Sequence, residues 1–105
     1  MPPTHFQIRT MDGHIELYEI SELSRLVQYF KNYDQDESCT IAKVSFYWNN
    51  PHRNLILRRN DMDWFVPDFE HSSDVGLSEI DEVYDAIMAV PVLYEVFGTR
   101  VQWAE

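Results

Sequence analysis

Asp68, Glu70, His71 and Asp74 stand within seven residues of one another and bring three carboxylates and one imidazole to the same segment. Oxygen and imidazole donors of this kind suit a divalent cation. Their spacing matches no diagnostic ligand pattern, so no metal is expected here, and His71 reads as a solvated loop residue. Asp61 and Asp63 have the opening spacing of a calcium loop. Such a loop needs Gly at its sixth position and Glu at its twelfth, where this chain has Val66 and Ser72.

Other catalytic patterns are incomplete as well. Pro67-Asp68 matches the start of a nuclease PD motif, but no lysine follows Lys43 to finish it. Cys39 opens a predicted strand with no cationic neighbour to lower its pKa, and it reads as a small packed residue rather than a nucleophile. His5, His14, His52 and His71 are scattered, and His52-Arg53 alone is weak support for acid–base work. The three glycines, Gly13, Gly76 and Gly98, cannot build a phosphate-cradling loop. The residues therefore point away from an enzyme, with no catalytic group, metal or cofactor expected.

The strongest signal is charge. Residues 60–85 hold nine carboxylates (Asp61, Asp63, Asp68, Glu70, Asp74, Glu79, Asp81, Glu82 and Asp85) and no Lys or Arg. Of the net −10, none arises from residues 1–60, where seven acids meet seven bases; residues 61–105 carry eleven acids and one base. This asymmetry predicts an acidic face suited to a basic partner. Direct contact with nucleic acid is disfavoured, because phosphate contacts need Lys and Arg. Solubility alone is the competing explanation of the charge.

The chain of 105 residues fits one domain, able to bury about 65% of its unfolded surface. One cysteine cannot form an internal disulfide, which suits a reducing compartment. No signal peptide pattern opens the chain, and no apolar run approaches the ~20 residues of a membrane span. The expectation is a cytoplasmic protein.

Hydrophobic periodicity places the acids on elements. Thr4–Thr10 and His14–Ile20 alternate around Asp12-Gly13, which predicts a hairpin with a two-residue turn. That register sets Ile8 against Leu17 and Arg9 against Glu16. Ser21 is the expected N-cap of a helix from Glu22 to about Tyr33, with Leu23, Leu26, Val27 and Phe30 on its apolar stripe. Cys39–Trp48, Asn54–Arg59 and Asp63–Val66 read as a three-stranded meander, with Pro67 ending the last strand or marking an edge. Asp68–Leu77 is an acidic loop. Ser78 is the expected cap of a second helix, with Ile80, Val83, Tyr84, Ile87 and Met88 inward and Glu79, Asp81, Glu82 and Asp85 outward. Pro91 kinks that helix or starts a third, Gly98 stops it, and Thr99–Trp103 is a candidate final strand. The predicted class is α+β: a single small domain, mostly antiparallel sheet, with two or three helices on one face.

With all four outward, Glu79 to Asp85 would present one charge per ~3 Å of helix, near the ~3.4 Å per phosphate of a DNA strand. The layout of residues 39–97, a short meander followed by acidic helices, resembles small phage-encoded inhibitors such as anti-CRISPR proteins and DNA mimics. It is also similar to bacterial immunity proteins that block nuclease toxins. The resemblance implies inhibition by binding, in the host cytoplasm if the chain is phage-encoded. Asp61, Asp63, Trp64, Asp68, Glu70, Asp74, Glu79, Asp81, Glu82 and Asp85 would then contact a basic nucleic-acid-binding protein or nuclease as a monomer or homodimer. Trp64, Tyr84, Tyr29 or Tyr47 would anchor the complex. The alternative is an accessory or structural subunit that oligomerises through an apolar patch near Tyr29, Tyr33 and Tyr94, with charge serving solubility only.

Overall fold

A computed structural model describes residues 2–26, 41–49, 53–59, 65–73 and 75–90. Five strands form one antiparallel sheet: β1 His5–Thr10, β2 Ile15–Glu19, β3 Ile41–Tyr47, β4 Asn54–Arg59 and β5 Phe65–Pro67, in the order β2-β1-β3-β4-β5. A 3-10 helix, Ile20–Arg25, follows β2, and one α-helix, α1, spans Leu77–Met88. The α+β class and the antiparallel sheet are as the sequence predicts. Among the described residues the helices are these two. The segments around Tyr29, Tyr33 and Tyr94, the later part of the first predicted helix, the residues after Pro91 and the final strand lie outside the described residues.

Alternation explains the layers. Phe6 and Ile8 on β1, Val44 and Phe46 on β3, Leu55 and Leu57 on β4 and Phe65 on β5 all turn to one face and are fully or almost fully buried. Leu23 and Leu26 join them from the 3-10 turn, and Val83 and Ile87 from α1. Phe46 sits opposite Phe6 with ring centroids 6.4 Å apart. Each large side chain buried this way contributes about 1.5–3 kcal/mol.

The hairpin differs from the expectation by one residue. Thr10 N–H donates to His14 C=O at 2.9 Å and Gly13 N–H donates to Thr10 C=O at 3.1 Å, so Met11, Asp12 and Gly13 form a three-residue loop. Gly13 takes the left-handed conformation, φ 91°, that ends such a loop and that a residue lacking Cβ adopts without strain. Ile8 therefore faces Glu16, and Arg9 faces Ile15. Ile15 and Leu17 consequently fall on the outer sheet face, 51% and 61% exposed.

Two further boundaries are corrected and one holds. Ser21 lies inside the 3-10 turn, whose N-cap is Glu19. Pro67 is the last residue of β5, on the edge of the sheet, so it has both predicted roles. α1 begins earlier than expected, with Gly76 rather than Ser78 at its N-cap.

Candidate functional site

The sheet and the start of α1 divide the acidic run into two groups. Beyond Pro67 the chain stays beside β4. Asp68 N–H donates to Ile56 C=O at 2.8 Å, Ile56 N–H to Ser72 Oγ at 2.8 Å, and Asn54 pairs with Ser73. The loop thus continues the edge where β5 ends, and Asp68 holds it in shape. Its backbone C=O accepts from Ser72 N–H at 2.9 Å and Ser72 Oγ at 2.7 Å, and its carboxylate accepts from His71 N–H at 3.3 Å. His71 Nδ1 lies 2.9 Å from Asp68 Oδ2, and Arg58 Nε lies 3.4 Å from the same oxygen. Burial pushes this carboxyl up, but the bonds from the His71 ring and N–H and the Arg58 charge outweigh it and hold the group below the usual value. An ionised carboxylate only accepts, so Nδ1 must carry the proton.

Glu79 also turns inward. Its carboxylate accepts from Ser78 Oγ at 2.8 Å and Gly76 N–H at 3.0 Å, and it pairs with Arg53 at 3.1 Å. The Ser78 bond, then the Gly76 bond, lower its pKa; its own N–H and the Arg53 charge add to them. Glu79 therefore satisfies an orphan N–H at the helix start and ties α1 to the segment before β4. Glu82 is half-buried and accepts from Trp48 Nε1 at 2.8 Å, joining α1 to the end of β3.

Of the ten predicted contact residues, Asp68, Glu79 and Glu82 are thus turned to their own fold. Glu70, Asp81 and Asp85 are exposed. Asp61, Asp63, Trp64 and Asp74 lie outside the described residues. The buried stripe of α1 is Glu79, Val83 and Ile87. Tyr84 and Met88, expected inward, are each 39% exposed, and Leu77 is 80% exposed. At 3.6 residues per turn, Leu77, Asp81, Tyr84, Asp85 and Met88 occupy an arc of about 100°. Asp81 and Asp85 stand ~6 Å apart along the axis, so the one-charge-per-3-Å match to a DNA strand does not hold on this helix.

Sequence reading missed the exposed apolar residues of this face and the inward role of Glu79. Gly76 three residues before Glu79 was the available signal, because a carboxylate at the third helical position reaches back to the cap N–H. Missed too was Trp48 as the partner of an acid.

Asp68, Glu70 and His71 also bring one ligand atom each within 4.8 Å of one another. Asp68 is already engaged by His71 and Arg58, and the trio is explained by its loop. Among the described residues no helix is long and apolar enough to cross a membrane. Comparison with protein-family models, with curated proteins and with solved structures finds no match to this chain.

Proposed function

We propose that the protein acts by binding, using the outward face of α1 to dock on a basic surface of a nucleic-acid-binding protein and keep that protein from its nucleic acid. The observation that supports this reading is the composition of the face. Leu77, Tyr84 and Met88 lie together along one side of the exposed arc, and the carboxylates of Asp81 and Asp85 line its other side. An aromatic and aliphatic centre with a charged rim is the anatomy of a specific interface. The rim speeds encounter and selects a cationic partner, and the centre supplies the hold. Glu70 adds a third exposed carboxylate on the loop before α1. An inhibitor of the anti-CRISPR, DNA-mimic or immunity type, working in a reducing cytoplasm, fits this reading.

The test is affinity capture from a lysate of the source cell, eluted with rising salt, followed by a nucleic-acid binding assay on the captured protein. The wild-type chain should release its partner as salt rises and should compete with nucleic acid. The double variant Asp81→Asn, Asp85→Asn should weaken capture several-fold, and Tyr84→Ala should weaken it further and independently of salt. Equal capture by all three across the salt range, or a captured protein that still binds nucleic acid when saturated, would refute the reading.

A further inference from the structure

The two edges of the sheet are finished differently. At one, β5 is three residues long, ends in proline and is extended by the hydrogen-bonded loop after Asp68. At the other, no further strand among the described residues lies beside β2. Thr10 N–H donates to His14 C=O and Ile20 N–H to Thr4 C=O, each at 2.9 Å. These bonds fix the alternation: His14, Glu16, Tyr18 and Ile20 turn their backbone groups to β1. Ile15 and Leu17 therefore turn N–H and C=O away from the sheet, and Glu19 its N–H. All three residues are exposed. An edge with exposed aliphatic side chains and unused backbone groups is a template for another strand.

We infer that the occupant is a second copy of this chain, joined β2 to β2 in antiparallel fashion about a two-fold axis at Leu17. Three observations select this partner and register. First, the axis at Leu17 uses every outward-turned residue: Leu17 exchanges two bonds with its copy, and Glu19 N–H donates to Ile15 C=O on either side. Second, it opposes no like charges, since Glu16 meets Tyr18 of the other copy, a pairing already compatible within one strand, where Tyr18 Oη donates to Glu16. Moving the axis to Glu16 would set two carboxylates directly opposite, which is destabilising. Third, none of the nine carboxylates of the acidic run lies on β2, and its own two, Glu16 and Glu19, meet the uncharged Tyr18 and Ile15 of the other copy. The result joins the two sheets of five described strands into one, with both inner layers on one side. Such an isologous contact is the commonest route to a closed dimer.

Cross-linking tests the register, and size tests the association. In a Cys39→Ser background, Leu17→Cys should form an intermolecular disulfide under mild oxidation. Residues directly opposite in a hydrogen-bonded pair have Cα atoms ~5.5 Å apart, within disulfide reach. Ile15→Cys should not cross-link, because it faces Glu19 of the other copy. By light scattering the wild-type chain should be a dimer that persists at 1 M salt. Leu17→Lys should be a monomer with an unchanged circular dichroism spectrum, and Asp81→Asn, Asp85→Asn should remain a dimer. A wild-type monomer at millimolar concentration, or cross-linking at Ile15→Cys equal to that at Leu17→Cys, would overturn the inference. The first of those outcomes would leave the edge to a strand from another protein. Neither bears on the α1 face, which is tested separately.

Discussion

Asp68 and Asp85 belong to the same acidic run and have opposite surroundings. Asp68 is buried, bonded by a neighbouring N–H and a histidine ring and paired with an arginine. Asp85 is exposed on the last full turn of α1 with Asp81 one turn before it. The contrast extends along the run. Glu79 and Glu82 share the situation of Asp68, and Glu70 and Asp81 that of Asp85. Among its described residues, this cluster of like charge in sequence is therefore two populations in space. One spends its charge inside the fold, and only the other is available to a partner. The cations that satisfy the first, Arg53 and Arg58, come from the neutral half of the chain, which is why the acidic run looks unpaired when read alone.

The contrast can be broken most sharply at Asp68. Asp68→Ala leaves Arg58 and the His71 N–H without their acceptor and should destabilise the protein by about 1–3 kcal/mol. Glu79→Gln should cost less, about 0.5–1.5 kcal/mol, because the amide keeps an oxygen that can still accept from Ser78 Oγ and Gly76 N–H. Both effects depend on pH. The folded-state pKa of each carboxyl is lowered, so near and below the ordinary carboxylate value of ~4 the unfolded chain binds more protons. The stability each contributes is complete above that value and is lost as pH falls through the folded-state value. Urea denaturation from about pH 7 to pH 3 should show wild type converging on Asp68→Ala as pH falls. A constant gap between the two would mean that Asp68 acts through its shape and not its charge.

At the other pole the expected effect is small and of opposite sign. Asp81 and Asp85 are like charges at i,i+4, and Asp81→Asn with Asp85→Asn should leave stability unchanged or raise it by about 0.2–0.5 kcal/mol. The same urea experiment measures it. A loss as large as that of Asp68→Ala would place these residues with the inward group and remove the exposed acidic face.

Strong local patterns were legible in the sequence. Leu55, Ile56 and Leu57 form an apolar run between Asn54 and Arg58, and β4 runs over the residues expected of it. Asp12-Gly13 marks the hairpin, but Gly13 serves equally as the second residue of a two-residue turn or the third of a three-residue loop. The choice moves Leu17 from one sheet face to the other. Apolar character favoured the wrong register, because Ile15 and Leu17 look like core residues. On α1 the element was clear and its phase was not. Tyr84 and Met88 have the composition of a buried stripe, and the position of the helix start, which sets where Glu79 points, depends on Gly76 as cap. The partners of Glu79 and Glu82 come from Arg53 and Trp48, and a contact that distant has no local signature.

The strand order also sets a schedule for folding. The hairpin closes a three-residue loop, and β4 pairs with neighbours close in the chain, but β1 joins β3 across roughly 30 to 40 residues. Loop closure costs more over such a span, and non-local pairing slows folding. Two locally formed pieces must therefore zip together along one seam, whose inward pairs are Phe6 with Phe46 and Ile8 with Val44. Trimming a methyl group from that seam, as in Ile8→Val, should slow refolding in stopped-flow, whereas Ile87→Val on α1 should chiefly hasten unfolding. An equal slowing of refolding by both would place the helix in the same rate-limiting event. On this schedule the barrier to folding lies at a seam whose two strands both belong to the charge-balanced residues 1–60.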